Sequence, residues 1–285
     1  MSGNTFTQVG ICGSGTMGAG LAEVVSRAGI DVIVYSRTQD GAATMLTTVT
    51  NNLTKQVAKG KMTEDEKLNT LVHVRTTSSL IDLADCDLVI ESIVENLDAK
   101  KQLFVELDST INKLAILATN TSTLAVIEMA RMTLRPDQVC GLHFFNPAVV
   151  MPLVEIIRPI TASDDTIARA GDFVLACGKD AVHVLDRAGF IVNALLFPYL
   201  NNAVRMFEAG TASMEDIDMA MKGGCNFPMG PFALLDLVGL DTSVSILDAL
   251  YAEFSDDNYR TQPSLRRLVA EGKLGRKSGQ GFYTY

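Results

Sequence analysis

Short apolar runs separated by amphipathic stretches fill the first two-thirds of the 285-residue chain. The runs lie at residues 9–12, 32–35, 88–90, 115–118, 139–142, 154–157 and 181–185. Stretches with a helical period, such as 19–28 and 99–108, lie between several of them. Fully apolar strands that alternate with helices indicate a parallel sheet covered on both faces. This part of the chain is therefore predicted to be an α/β domain.

The pattern changes near residue 186, after which almost every stretch has a helical period. These stretches cover residues 190–208, 213–221, 232–253 and 264–271, and Gly or Pro stands between them. Ser213 and Asp216 have the spacing of a capping box at a helix start. We therefore predict two domains, an α/β domain over residues 1–186 and an all-α helical domain over 187–285.

Composition and charge narrow the class of protein. The chain is 47% hydrophobic and 20% charged, as is typical of globular proteins, and its net charge of −9 disfavours a nucleic-acid partner. Its five cysteines are widely spaced with no Cys-x-x-Cys pair, which excludes a disulfide framework and a zinc ribbon and favours a reducing compartment. The first seven residues are polar, and the longest apolar run, 189–200, is too short to span a bilayer. We expect a soluble cytoplasmic protein with no membrane partner and no metal.

A glycine-rich loop follows the first predicted strand. Its sequence is Gly13-Ser-Gly-Thr-Met-Gly18, and it opens a predicted helix. A lone G-x-G-x-x-G is weak evidence, but between a strand and a helix it is typical of dinucleotide binding, whereas an ordinary strand–helix turn is the disfavoured alternative. Gly13 would make the tight turn, Gly15 would admit the pyrophosphate and Gly18 would let the helix pack on the strand. With Thr16 and Met17, these glycines predict a Rossmann-like NAD(P)-binding domain.

The end of the second predicted strand bears on the choice of cofactor. NAD-binding domains place an Asp or Glu about 20 residues beyond the glycines, where it binds the ribose 2′-hydroxyl. Here Ser36-Arg37-Thr38 occupies that place. A neutral residue followed by Arg favours a 2′-phosphate, because guanidinium and phosphate pair bidentately. The sequence therefore favours NADP(H) over NAD(H), and the alternative is that Arg37 stacks on the adenine or faces solvent.

A histidine at a strand end is the candidate for acid–base chemistry. His143 lies in Gly141-Leu-His-Phe-Phe-Asn-Pro147, directly after an apolar run, and the carboxyl ends of parallel strands face the ligand crevice. Glu155 lies inside another apolar run, where a carboxylate is costly unless it has a partner. We predict that the two side chains pair, with a satisfied core histidine as the alternative. Ser122 and Asn193 have no predicted geometry, because isolated Ser and Asn residues most often serve as caps or surface groups.

Taken together, these motifs resemble the L-3-hydroxyacyl-CoA dehydrogenase family, and most closely the short bacterial 3-hydroxybutyryl-CoA dehydrogenases. The matching segments are residues 13–18, 120–124, 141–147, 189–193, 215–218, 228–231 and 275–283. They occur in the same order over essentially the whole chain, which makes the resemblance specific. It implies hydride transfer between a 3-hydroxyacyl-CoA and a 3-ketoacyl-CoA, such as 3-hydroxybutyryl-CoA and acetoacetyl-CoA, in short-chain fatty-acid or butyrate metabolism.

The resemblance also implies roles for individual residues. His143 is the implied general acid/base, Glu155 orients it, and Ser122 and Asn193 hold the substrate oxygen at C3. Positions that match further cofactor contacts are Glu95, Lys100, Asn146 and Lys277. A family contact to CoA comes from a Lys after the second strand, where Lys55 and Lys59 stand one helical turn apart, and a solvated helix face explains these two lysines equally well.

The resemblance implies a homodimer formed through the helical domain, and the apolar content of residues 190–200 and 232–250 is compatible with it. The main departure from the family pattern is Ser36, where members that use NAD carry an Asp. This departure leaves the choice between NAD and NADP open, but it does not affect the reaction that the resemblance implies.

Two other functions remain as alternatives. A free 3-hydroxyacid dehydrogenase also joins a dinucleotide domain to a helical domain, but it carries a catalytic Lys in the first helix of the second domain, and residues 190–208 contain none. A non-catalytic structural relative of the family is the other alternative. Retention of Ser122, His143, Glu155 and Asn193 together speaks against it.

Overall fold

The apolar runs of the first part form the strands of one sheet. The computed structural model describes residues 6–285, so part of the polar stretch that argues against a secretory signal lies outside the described residues. The chain divides into two compact units, the first ending at Asp186 and the second spanning Arg187–Tyr285. No helix among residues 6–285 is long and apolar enough to cross a membrane.

Eight strands build the first unit, in the order β3-β2-β1-β4-β5-β6-β7-β8 across the sheet. Their bounds are β1 Gln8–Cys12, β2 Asp31–Tyr35, β3 Val74–Thr77, β4 Leu88–Glu91, β5 Ile116–Thr119, β6 Val139–Phe144, β7 Leu153–Arg158 and β8 Asp180–Leu185. Strands β1 to β6 pair in parallel, as the alternating pattern predicts. Because β4 lies next to β1 on the side away from β2, the strand order reverses between β1 and β4, and such a switch point opens a ligand crevice at the carboxyl edge.

The connecting helices of the first unit bury their apolar faces on this sheet. Their bounds are α1 Thr16–Arg27, α2 Gln39–Ala58, α3 Glu64–Val72, α4 Leu97–Thr110, α5 Val126–Ala130 and α6 Asp164–Ala176, with short 3₁₀ turns at Leu80–Leu83 and Pro136–Gln138. Helix α1 packs on β1 and β2, and α6 packs on β6, β7 and β8. The shared core includes Ile11, Leu21, Val34, Ile90 and Phe173.

The predicted parallel sheet departs from parallel pairing near one edge. Strand β7 pairs antiparallel with β6, and β8 pairs in parallel with β7. The physical reason is the short connection of residues 145–152, because a parallel return needs a crossover of a dozen or more residues. The sequence analysis also missed β3, a short edge strand with the polar sequence Val-Arg-Thr-Thr.

Helices make up the second unit. Their bounds are α7 Val192–Glu208, α8 Met214–Cys225, α9 Pro231–Val238, α10 Leu240–Phe254 and α11 Pro263–Ala270, with 3₁₀ turns at Asp257–Tyr259 and Arg276–Ser278. The single helix predicted over residues 232–253 is two helices, separated by Gly239 with φ +105°. A positive φ of that kind ends a helix and suits only glycine. The core of the unit includes Phe197, Leu200, Phe232 and Leu247.

Two buried carboxylates in the second unit hold its irregular segments. Asp218 accepts hydrogen bonds from the backbone N–H groups of Phe232 and Ala233, at 2.8 and 3.1 Å, and so caps the start of α9. Asp236 accepts from the N–H groups of Phe282 and Tyr283, both at 2.8 Å, and so anchors the last residues of the chain. The motifs at residues 215–218 and 275–283 therefore have a structural role within this unit.

Candidate active site

Close backbone packing explains two of the three glycines in the loop after β1. Gly13 has φ +132°, and a Cβ atom there would lie 2.3 Å from the carbonyl oxygen of Ser92. A Cβ atom at Gly18 would lie 2.0 Å from the carbonyl oxygen of Gly13. Real Cβ atoms do not approach other atoms this closely, so neither position accepts a side chain without movement of the loop.

Gly15 differs because a Cβ atom there would meet no other atom within 4 Å. The space above it is open, and Gly15 and Thr16 are exposed. Helix α1 begins at Thr16, so the N–H groups of its first turn have no carbonyl partner within the helix. These groups lie at the positive end of the helix dipole. A pyrophosphate fits such a place, and the loop therefore fits a dinucleotide.

The end of β2 lies beside this loop. The hydroxyl of Ser36 is nearly buried and lies 3.0 Å from the hydroxyl of Ser14. A Cβ atom at Gly41, in the first turn of α2, would lie 2.2 Å from Oγ of Ser36, so this glycine makes room for the serine. Thr38 caps α2 by accepting from the N–H of Gly41 at 3.1 Å. Arg37 is exposed.

His143 and Glu155 face each other across two neighbouring strands. The antiparallel register of β6 and β7 pairs them directly, and Nδ1 of His143 lies 2.7 Å from Oε2 of Glu155. Both side chains are almost completely buried, with exposed fractions of 5% and 0%. The ring of Phe145 packs on the imidazole with a centroid distance of 4.5 Å. The sequence predicted this pairing from the cost of an unpaired carboxylate inside a strand.

A second buried carboxylate lies at the end of β4. Glu91 is fully buried and accepts from Nζ of Lys100 at 2.6 Å, from the hydroxyl of Thr119 at 2.6 Å and from the N–H of Ile93 at 2.7 Å. Nζ of Lys100 also lies 3.2 Å from Glu95. Lys100 therefore lies within a cluster of carboxylates and is only 1% exposed. Sequence reasoning missed Glu91, although a carboxylate at the end of a buried strand is the same signal that identified Glu155.

Glu95 holds the loop that carries Ser122. Its Oε1 atom accepts from the hydroxyl of Thr121 and from the N–H groups of Ser122 and Thr123, the last two at 3.0 and 3.2 Å. Burial alone would raise the pKa of Glu95, but the Lys100 charge and these hydrogen bonds outweigh it and hold that pKa below its ordinary value. The loop of residues 121–123 is therefore fixed on an ionised carboxylate.

The other predicted site residues are spread over the two units. Asn146 is exposed just after β6, and its peptide bond to Pro147 is cis. Lys55 and Lys59 are exposed at the end of α2 and meet none of the groups described above. In the second unit, Asn193 is nearly buried on α7, and Nζ of Lys277 lies 2.7 Å from a carboxylate oxygen of Asp241. Within residues 6–285 no cluster of His, Cys, Asp or Glu could hold a metal ion.

The Gly-rich loop, Ser36 and the Ser122 loop follow the carboxyl ends of parallel strands, and His143 is the next-to-last residue of β6 in the same sheet. Parallel strands bring those ends to the same edge. An open dinucleotide loop at the same edge as a buried His–carboxylate pair defines the class, a nicotinamide-dependent dehydrogenase.

Comparison with known proteins agrees with this class. Residues 8–187 match the model of the 3-hydroxyacyl-CoA dehydrogenase NAD-binding domain, and residues 189–285 match the model of the C-terminal domain of the same enzymes. The chain therefore belongs to the 3-hydroxyacyl-CoA dehydrogenase family.

Individual relatives match over nearly their whole length. A 3-hydroxybutyryl-CoA dehydrogenase of Mycobacterium tuberculosis is 44% identical, with 99% of each chain covered. Human mitochondrial hydroxyacyl-coenzyme A dehydrogenase is also 44% identical, with 97% of this chain and 90% of the human protein covered. The crystal structure of (S)-3-hydroxybutyryl-CoA dehydrogenase from Ralstonia eutropha has a TM-score of 0.96 at 39% identity, with 99% of both chains covered.

The buried cluster at the end of β4 generates a stability prediction. Replacing Lys100 with Met leaves the Glu91 carboxylate buried beside Thr119 without its cation, and removing one partner of a buried pair costs about 3–5 kcal/mol. The double variant Glu91→Gln with Lys100→Met should recover most of this loss, because no buried charge remains. Urea unfolding curves measure both free energies. A double variant as unstable as Lys100→Met would contradict the assignment.

Proposed function

We propose that this chain interconverts (S)-3-hydroxybutyryl-CoA and acetoacetyl-CoA by hydride transfer with a nicotinamide dinucleotide. The buried His143–Glu155 pair is the main support, because it puts an acid–base group at the sheet edge that carries the dinucleotide loop. The names of the relatives supply the substrate, since both bacterial enzymes are 3-hydroxybutyryl-CoA dehydrogenases.

His143 moves the proton of the C3 oxygen in this proposal. A bound nicotinamide supplies or accepts the hydride at C3. Glu155 holds the Nδ1 atom of His143, so the neutral ring keeps its proton there and Nε2 is the nitrogen that exchanges a proton with substrate. The neutral ring takes the proton during alcohol oxidation, and the protonated ring gives it back during ketone reduction.

Ser122 stabilises the charge that develops on the C3 oxygen. Its backbone N–H is held by Glu95, so the loop that carries the hydroxyl needs little reorganisation when substrate binds. A well-placed donor of this kind contributes about 3 kcal/mol to the transition state. The role implied for Asn193 stays a prediction, as do the cofactor contacts of Glu95, Asn146 and Lys277 and the CoA contacts of Lys55 and Lys59. For Lys100 we propose an indirect role through Glu91 and Glu95, since its amine is buried between them.

Two observations bear on the alternative functions. Helix α7 contains no Lys, whereas free 3-hydroxyacid dehydrogenases carry the catalytic Lys in that helix. A non-catalytic relative would have no use for a buried carboxylate whose polar partner is an imidazole, because the pair is costly to desolvate. Both observations favour an active 3-hydroxyacyl-CoA dehydrogenase.

Replacing His143 with Ala tests the proposed reaction. We expect kcat for acetoacetyl-CoA reduction to fall by about 10²–10⁴-fold, because the general acid is lost, while the dissociation constant of the dinucleotide changes little. Glu155→Gln should lower kcat less, since the ring stays in place but its orientation and charge are less well supported. Steady-state kinetics and fluorescence titration with reduced cofactor measure these effects. Activity of His143→Ala within a few-fold of the parent would refute the assignment.

We further propose a preference for NADP(H), since Ser36 replaces the carboxylate that would repel a 2′-phosphate. Exposed Arg37 adds a cation beside it, and one charge-assisted contact is worth roughly 1.5–3 kcal/mol, or about ten- to hundredfold in affinity. The Ser36 hydroxyl already bonds Ser14, so it lies beside the dinucleotide loop and close to where the adenosine ribose would bind.

The kcat/KM ratio for NADPH against NADH tests this preference in the parent and in Ser36→Asp with Arg37→Gln. The parent should favour NADPH and the double variant NADH. The single variant Arg37→Gln is the matched control, because it removes only the cation and should lower the ratio part of the way. A parent that favours NADH at least tenfold, with a ratio that the double variant hardly changes, would disprove the preference.

The second unit supports a proposed homodimer. Several large apolar side chains of this unit are exposed in the single chain, and they are Leu195, Met206, Met219, Phe227 and Leu237. Exposed apolar side chains on one unit are typical of an interface between copies. Light scattering at micromolar concentration should give about twice the 30.7 kDa chain mass. Leu195→Glu should lower that mass, whereas Leu134→Glu in the first unit should not, and a folded, active parent monomer would contradict the proposal.

A further inference from the structure

The side chain of Asn120 links the ends of two strands at the catalytic edge. Asn120 directly follows β5, and its Oδ1 atom accepts a hydrogen bond from the backbone N–H of Phe144 at 2.9 Å. Its Nδ2 atom lies 3.4 Å from the hydroxyl of Ser92, just beyond β4. The orientation of the carboxamide follows from its partners, because a backbone N–H can only donate and therefore faces the oxygen.

Asn120 takes the place of a missing strand partner. The pairing of β5 with β6 ends at Thr119 and Gly141, whereas β6 continues to Phe144. On its other side β6 stays paired with β7 through His143 and Phe144. The carboxamide of Asn120 therefore satisfies a backbone donor that β5 no longer reaches, at the peptide next to His143.

This bond fixes the peptide plane that leaves His143. The N–H of Phe144 belongs to the rigid peptide unit that begins at the carbonyl of His143, so holding it restricts the backbone from which the imidazole projects. Glu155 holds the ring itself, at Nδ1. We infer that Asn120 is a positioning residue for His143, and this inference rests on the proposed role of His143 in proton transfer.

The neighbouring Ser122 loop has a separate anchor. Its N–H groups at residues 122 and 123 are held by Glu95, and the hydroxyl of Thr121 bonds the same oxygen. Loss of the Asn120 side chain therefore leaves that loop attached and releases the peptide after His143. Loss of the Asn120 side chain is therefore expected to displace the imidazole of His143.

Asn120→Ala tests the inference through kinetics. A displacement of about 1 Å at a reacting group costs up to about 10²-fold in rate, so we expect kcat to fall about 10- to 100-fold while KM for the reduced cofactor stays within about threefold. The deuterium isotope effect on kcat, with the transferred hydrogen of the cofactor labelled, should rise because the chemical step becomes slower relative to product release. A simple loss of folded enzyme would leave that isotope effect unchanged.

Two further variants separate the bonds of the carboxamide. Asn120→Asp keeps an oxygen for the N–H of Phe144 and lets the Ser92 hydroxyl donate instead, so activity should return to within about fivefold of the parent. Ser92→Ala removes only the partner of Nδ2 and should leave kcat within about twofold. If Ser92→Ala is as impaired as Asn120→Ala, the contact to β4 carries the effect and the inference is overturned.

A double variant with His143→Ala shows whether Asn120 acts through the histidine. When His143 is absent, Asn120→Ala should lower the residual rate no more than about twofold, because the two residues act as one unit. A full additional loss would overturn the inference. If His143→Ala itself keeps near-parent activity, the proposed function fails. If it is inactive and Asn120→Ala stays within threefold of the parent with an unchanged isotope effect, only the role of Asn120 fails.

Discussion

Buried carboxylates determine which side chains are held in place at the carboxyl edge of the sheet. Glu155 and Glu91 are both fully buried, and an ionised carboxylate in that state is stable only with a close cation or several donors. For Glu155 the partner is the imidazole of His143, and for Glu91 it is the amine of Lys100. His143 lies near the end of β6, and Glu91 is the last residue of β4. The buried carboxylates therefore hold the side chains of His143 and Lys100 in place at this edge.

The network around Glu91 extends this order to the loop that carries Ser122. Lys100 joins Glu91 to Glu95, and Glu95 in turn receives the N–H of Ser122. The network therefore spans strands β4 and β5 and the loop after β5. The backbone of that loop is therefore held by several hydrogen bonds to one carboxylate. The first unit thus has a rigid edge beside an open dinucleotide loop.

The sequence predicts those features of the fold and the site that depend on residues close together in the chain. The Gly-rich loop and the two-part division follow from periodicity and short motifs, and the pairing of Glu155 with His143 follows from the cost of a charge inside an apolar strand. The reversal at β7 could have been predicted from the short connection at residues 145–152. The bonds of Asn120 and Ser36 could not, because they join residues that are far apart in the sequence and small polar side chains carry no pattern of their own. The anchoring of the chain end on Asp236 was missed for the same reason.

The environment of Ser36 bears on the proposed choice of cofactor. Its hydroxyl bonds the hydroxyl of Ser14, and a bound ribose or phosphate oxygen would replace one neutral hydrogen bond with another. Such an exchange is nearly neutral in free energy, since a net hydrogen bond is worth only about 1 kcal/mol. The proposed preference for NADP(H) therefore rests mainly on charge, and at the end of β2 the charged residue that directly follows Ser36 is Arg37.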